Sequence, residues 1–201
     1  MTYLLAEEYE RFGLPPSTGE GMVAAASAIL DAHCRRKSVG VERYSERLRV
    51  GRSQCVRLTY LPLADGDGGP IVQARARRSR RADCGSAAAE IARAFGLAGG
   101  WVDLDVATLE VCRETGEVQL SSGVLAPTFD DVEITYTAGF ATIPDAVKHA
   151  CALVVRNAQA TPALNVRGGS VDTMHLEYFS DSLLDSNVRK LLAPYVAQRV
   201  G

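Results

Sequence analysis

Three histidines and five cysteines are the side chains of this 201-residue sequence best suited to nucleophilic or metal chemistry, and their spacing argues against both. His149 and Cys151 stand two apart on what reads as one helix, so they point to different faces and cannot ligate together or form a dyad there. His33 beside Cys34 fails for the same reason, and only a dyad assembled between helices stays open. Cys34, Cys55, Cys84, Cys112 and Cys151 are odd in number, scattered and without C-x-x-C spacing. They indicate neither a zinc site nor a disulfide framework, and read as buried thiols of a reducing compartment. The carboxylates Asp103/Asp105 and Asp130/Asp131 flank strand ends, where acidic turn residues are routine. Asp65-Gly66-Asp67-Gly68 opens like a calcium loop but lacks the third ligand position and the acidic twelfth residue. Glycine-rich phosphate loops and the G-x-S-x-G nucleophile turn are missing. The expectation is a chain with no catalytic residue, no metal and no cofactor: not an enzyme.

Arginine is the more informative residue. Between Arg35 and Arg81 thirteen Lys and Arg face four acidic residues, a balance of +9 inside a chain whose net charge is −2. The remainder therefore carries −11, a segregation that suggests oriented contact with a charged partner. Arg35-Arg36-Lys37 sits at a helix exit, where cations meet the negative end of the macrodipole. Arg75, Arg77, Arg78, Arg80 and Arg81 are the stronger interface candidates. They would suit phosphates with steep salt dependence, or an acidic protein surface equally well. Aromatics are only 6%, and neither a helix-turn-helix nor an aromatic-studded sheet stands out.

These groups need elements to position them. Residues 3–12 read as a short first helix ended by Gly13 and Pro15-Pro16. Ser17 and Glu20 suggest a capping box for a second helix that runs to about His33. Residues 42–50 and 54–61 alternate, and Gly51-Arg52-Ser53 between them predicts a hairpin. Ile71–Arg77 is a third strand with its arginines on one face, followed by a short helix near 86–96 and an extended piece at 101–104. A helical turn near 105–111 and a tight turn at 114–117 precede a strand at 118–120.

The best-determined stretch is 131–159. Val132–Thr137 alternates apolar and polar as a half-buried strand, and Gly139 supplies the freedom for a sharp reversal. Thr142, Pro144 and Asp145 read as a helix start, with apolar residues at 147, 150, 151, 154, 155 and 158 forming one buried face. Val171–Phe179 alternates and predicts an edge strand, in the chain or across a subunit boundary. A last helix opens near Ser182–Asp185 and ends near Pro194.

The segment VEITYTAGFATIPDAVKHACALVVRNAQATPALNV resembles the head–tail connector (adaptor, or head-completion) proteins of long-tailed bacteriophages and their prophages. Those proteins carry a V-x-V-T-Y-T-A-G strand, then I-P, then an amphipathic helix before a short C-terminal helix. Met174–Leu184 and Leu191–Val196 extend the likeness, which covers roughly the last seventy residues well and the first two helices loosely. The resemblance implies a structural virion protein at the head–tail junction, assembled in the host cytoplasm as a ring expected to hold twelve copies. Its implied partners are further copies of itself, the portal protein, a tail-side completion or terminator protein, and genomic DNA passing through the channel without sequence readout. It implies no cofactor. Within it, Met174, Leu176, Tyr178, Phe179 and Tyr195 join the arginines as candidate interface residues. The alternative is a prophage-encoded DNA-binding protein using the basic region 35–81.

Taken together the chain is expected to be α+β. A small helical bundle of two N-terminal and two C-terminal helices (1–40 and 139–201) would carry a β-rich insertion (41–138). The N-terminus lacks a basic region before its apolar residues, which predicts no signal peptide.

Overall fold

In a computed structural model the described residues are 2–66, 69–78, 91, 94–95, 100–121, 127–160, 168–171, 174–177 and 183–197. The chain divides into two compact units, Met1–Val39 with Thr142–Val196, and Gly40–Ala141 with Ala197–Gly201.

The second unit is built on sheet. Four antiparallel strands run in the order β1 (Glu42–Arg49), β7 (Phe129–Ala138), β3 (Ile71–Arg78) and β4 (Trp101–Leu104). A three-stranded sheet follows the order β2 (Cys55–Arg57), β6 (Glu117–Gln119) and β5 (Glu110–Cys112). β7 is the spine, because its alternation buries Val132, Ile134, Tyr136 and Ala138 on one face while Asp131, Glu133 and Thr135 line the other. On β1 the inward set is Tyr44, Glu46 and Leu48, and on β3 it is Ala74 and Ala76. These pack with Val56, Leu58, Val118 and Leu120 from the three-stranded side into one core. Tyr44 stacks on Tyr60 at 3.9 Å between ring centroids, and the Tyr60 N–H donates to the Tyr136 hydroxyl at 3.1 Å.

The first unit is helical. α1 (Glu20–Cys34) buries Val23, Ala26, Leu30 and Cys34, and α2 (Asp145–Ala160) buries Val147, Ala150, Cys151, Val154 and Val155. The two pack together, with Ser27 Oγ 3.7 Å from Cys151 Sγ. α3 (Ser186–Leu192) lies against α2, is capped by the Asp185 carboxylate accepting from Val188 N–H, and buries Val188 and Leu192. The N-terminal segment is tied down by Tyr3, whose hydroxyl donates to Asp31 and accepts from Val39 N–H. Burial and the Asp31 carboxylate push that phenol's pKa well up.

Several expectations are corrected. The architecture is a strand-rich α+β fold, not a bundle with two N-terminal and two C-terminal helices. Residues 3–12 form only two 3-10 turns, Ala6–Glu8 and Glu10–Phe12. The buried residues around these turns, Tyr3, Leu4, Tyr9 and Leu14, follow no 3.6 period, and so short a segment does not repay helix nucleation. α1 starts from Gly19 without a side-chain cap, so the Ser17–Glu20 box is not formed. The first turn of α2 closes on the Pro144 carbonyl, which accepts from Val147 and Lys148 N–H, so Thr142 is not its cap.

The hairpin expected from 42–61 does not exist, since β1 pairs along its whole length with β7 while β2 pairs with β6. An eight-residue register against a long apolar spine outweighs a two-strand ribbon, which has little stability of its own. Val171–Phe179 is not a single edge strand. β8 (Gly168–Val171) and β9 (Met174–Glu177) pair with each other as a two-stranded ladder. Of the helix near 86–96 only Ile91, Ala94 and Phe95 are described, with Phe95 N–H donating to the Ile91 carbonyl in helical fashion.

Candidate interaction surface

The outward face of the four-stranded sheet gathers the charge of the sheet unit. Arg43, Ser45, Arg47 and Arg49 come from β1, and Asp131, Glu133 and Thr135 from β7. β3 adds Arg75 and Arg77, and β4 adds Asp103 and Trp101. Register places Arg75 opposite both Glu133 and Asp103, and Arg77 opposite both Asp131 and Trp101. Strand alternation alone, Arg-x-Arg beside Asp-x-Glu, therefore builds a cross-strand ion-pair ladder.

Its centre is Trp101. Three guanidinium groups sit over this one indole, Arg77 at 4.9 Å from the ring centroid, Arg75 at 5.2 Å and Arg47 at 5.3 Å. Beneath them Asp131 accepts from Arg47 at 3.3 Å and pairs with Arg77 at 3.2 Å. Glu133 takes Arg75 Nη2 on both carboxylate oxygens at 2.9 Å. The more open pairs, Arg47–Asp131 and Arg75–Glu133, contribute about 0–1 kcal/mol each and set the order of the surface more than its stability, while Arg77–Asp131 is largely shielded from water. Cation–π contact adds roughly 0.5–1 kcal/mol per guanidinium at such a site. Arg77 Nε is enclosed with no acceptor among the described residues.

Of the sequence candidates, Arg75 and Arg77 lie in this cluster. Arg78 is described as backbone at the end of β3, and Arg80 and Arg81 lie outside the described residues. Met174 and Leu176 belong to the backbone of β9, while Tyr178 and Phe179 are outside. Tyr195 is half-buried in a 3-10 turn after α3. Within the basic region 35–81, Arg35–Lys37 belong to the helical unit and the other described arginines to the sheet unit. Sequence reading did not single out Trp101 or Glu133, counted Arg47 only within the basic region, and took Asp131 for an acidic residue at a strand end. The signal was the matched i, i+2 alternation of opposite charges on strands that pair.

The groups first considered for chemistry are mostly engaged in structure. Cys34 and Cys151 are buried, and burial pushes the Cys34 thiol up to about 11 and raises Cys151 also. The thiols are not uniformly buried as expected: Cys55 is half-exposed and Cys112 exposed, the latter held below the usual thiol range by its hydrogen bond with the Thr115 side chain. His33 is half-buried and His149 exposed. Asp105 caps a 3-10 turn by accepting from Ala107 N–H, and Asp131 is bound up in the ladder. A surface hollow of about 550 Å³ beside Ile71, Asp105, Leu109 and Arg113 has its carboxylate occupied by that cap and its arginine paired with Asp65 at 2.8 Å. Among the described residues no group of three or more His, Cys, Asp or Glu could hold a metal, and no helix is long and apolar enough to cross a membrane.

Compared with known proteins, the chain matches no family model and no curated sequence. What the described residues offer is an ordered face of arginine, carboxylate and one tryptophan.

Proposed function

We propose that the chain is a structural subunit of a head–tail connector, an adaptor ring of a long-tailed bacteriophage or prophage. The ring sits between the portal protein and the tail-side completion or terminator protein, with genomic DNA passing through its channel. The observation that carries this reading is the stretch from Val132 to Ala158, on which the family resemblance rests. That stretch is one continuous path: the central strand of a four-stranded sheet, a left-handed glycine at φ 129°, and a helix whose apolar face is buried. Its apolar side chains are spent on packing, which suits a passive assembly subunit. The charge segregation along the chain supplies unlike surfaces of the kind a head-to-tail ring contact needs.

Electron microscopy of the purified chain, alone and mixed with a portal protein of such a phage, tests this reading. The expected result is a ring, formed alone or templated on the portal. A chain that neither forms rings nor associates with the portal at micromolar concentration would overturn it. Salt-steep duplex binding by a monomer or dimer would instead establish the DNA-binding alternative. That alternative is disfavoured by the pairing of Arg47, Arg75 and Arg77 with carboxylates of the same face.

A further inference from the structure

We infer that the arginine–tryptophan face of the sheet is a socket for the acidic N-terminal ridge, Leu5–Glu10, of a second copy of this chain. This deepens the connector reading and rests on it.

The socket has the composition of a contact hot spot, where tryptophan and arginine dominate binding energy. Five arginines (43, 47, 49, 75 and 77) meet three carboxylates, Asp103, Asp131 and Glu133, which leaves the face at +2. Asp131 and Glu133 sit on its inner strand β7, fixed by register, and Asp103 on the edge strand β4. A run of phosphates laid across the face would meet two of them at close range and release few counterions, which disfavours nucleic acid. A protein segment with one or two carboxylates fits better. Each guanidinium has five N–H donors in a fixed fork, and the internal pairs occupy only some of them. Arg77 Nε, enclosed and without an acceptor among the described residues, shows that the ladder does not saturate the cluster.

The ridge is the complementary surface this same chain carries. Leu5 is 62% exposed, and Glu7 and Glu10 are exposed beside it on the two 3-10 turns. It is held before binding, because Leu5 N–H donates to Glu8 at 3.2 Å and Glu8 pairs in turn with Lys148. The neighbouring cation, Arg11, is taken by Asp145 at 2.9 Å. The ridge thus presents an exposed leucine together with two carboxylates whose ordering cost is already met. Leu5 rests against the Trp101 edge while Glu7 and Glu10 approach the guanidinium groups. Socket and ridge belong to different units of one chain and are not self-complementary, so the contact is heterologous and propagates from copy to copy until it closes.

The test is charge exchange in the full chain, read by sedimentation velocity over a concentration series at low and high salt. The wild type is expected to self-associate at about 50 mM salt and to weaken as salt rises, since the contact is screened over about 10 Å at 0.1 M. R47E/R75E and E7K/E10K are each expected to weaken association on the order of tenfold or more, and an equimolar mixture of the two variants to restore it. The milder pair R47Q/R75Q, checked by its thermal melt against wild type, keeps the test valid if the reversal disturbs the sheet. A wild type that stays monomeric at every concentration and salt overturns the contact. So does association that the reversals leave unchanged, or a mixture that does not recover it. A 30-base-pair DNA duplex bound tightly by wild type and lost in R47Q/R75Q overturns it in favour of nucleic acid. Rings that form on the portal in every variant would leave the connector reading standing while refuting this interface.

Discussion

Substituting Gly139 by alanine concentrates the consequences of the fold on one Cβ. The glycine ends β7 at φ 129°, a backbone conformation that L side chains rarely adopt. An added Cβ would lie 2.1 Å from the Gly40 carbonyl oxygen, 2.5 Å from its carbon and 2.9 Å from Val41 Cα. All three neighbours are backbone, so no rotamer change relieves them. The strained dihedral costs roughly 1–3 kcal/mol, and forcing two backbone segments apart costs about another 1–3 kcal/mol. The sum, about 2–6 kcal/mol, is a large share of the roughly 5–15 kcal/mol that holds an ordinary domain together. Urea denaturation followed by Trp101 fluorescence, the single tryptophan of the chain, reads the unit that contains both glycines. With a mid-range slope of about 2 kcal/mol per molar, the midpoint should fall by roughly 1–3 M. Gly21→Ala is the opposing control in the helical unit, read by circular dichroism of the helices, because its Cβ meets nothing within 4 Å in the first turn of α1. It should gain up to about 1 kcal/mol from helix propensity. A Gly139→Ala protein within about 0.5 kcal/mol of wild type would refute the claim that this reversal is sterically closed to side chains.

Val147→Ala removes two methyl-sized groups from a fully buried site on α2 and should cost roughly 2–3 kcal/mol, read as a lower midpoint of the helical signal in circular dichroism. Tyr136→Phe strands the Tyr60 N–H in a partly buried position, so stability should drop by about 1–2 kcal/mol and the Tyr60 amide should exchange faster. Because the folded Cys34 thiol is raised from 9.0 to about 11, its contribution is fully present below pH 9 and is lost as pH climbs towards 11. Cys34→Ala should therefore flatten the fall in stability across that window, and an unchanged slope would discount burial as the cause. Alkylation of the native protein at pH 8 should label Cys112 first and leave Cys34 and Cys151 untouched, as mapped by peptide mass spectrometry.

The sequence made β7 and α2 legible because each carries an unbroken period, two for the strand and about 3.6 for the helix, and each is long enough for that period to dominate. Gly139 was legible for the same reason: it is where one period stops and the other has not begun. Partner choice was not legible. β1 and β2 are neighbours in sequence, and the glycine between them looked like a turn, yet β1 finds β7 more than eighty residues away. Nothing local in Glu42–Arg49 encodes that distance. The N-terminal segment misled in another way, because Tyr3, Leu4 and Tyr9 are apolar enough for a helix but are buried at irregular intervals, with Tyr3 bonded to Ser27 and Asp31 of α1. The surface cluster was half legible. Arg75 and Arg77 announced themselves by charge, while Trp101 became interesting only once register set it opposite Arg77.

The helical unit is assembled from both ends of the chain, and this fixes an order of events on the ribosome. α1 leaves the exit tunnel early, but α2, against which it packs, is separated from it by the whole sheet unit. At about 5–20 residues per second, the roughly 110 residues between them take on the order of ten seconds to emerge. Throughout that interval Val23, Ala26 and Leu30 lack the helix that will cover them, while the sheet unit can complete its own core once β7 is made. The newborn chain therefore holds a sticky helix in waiting, and nascent copies on one messenger would meet through it first.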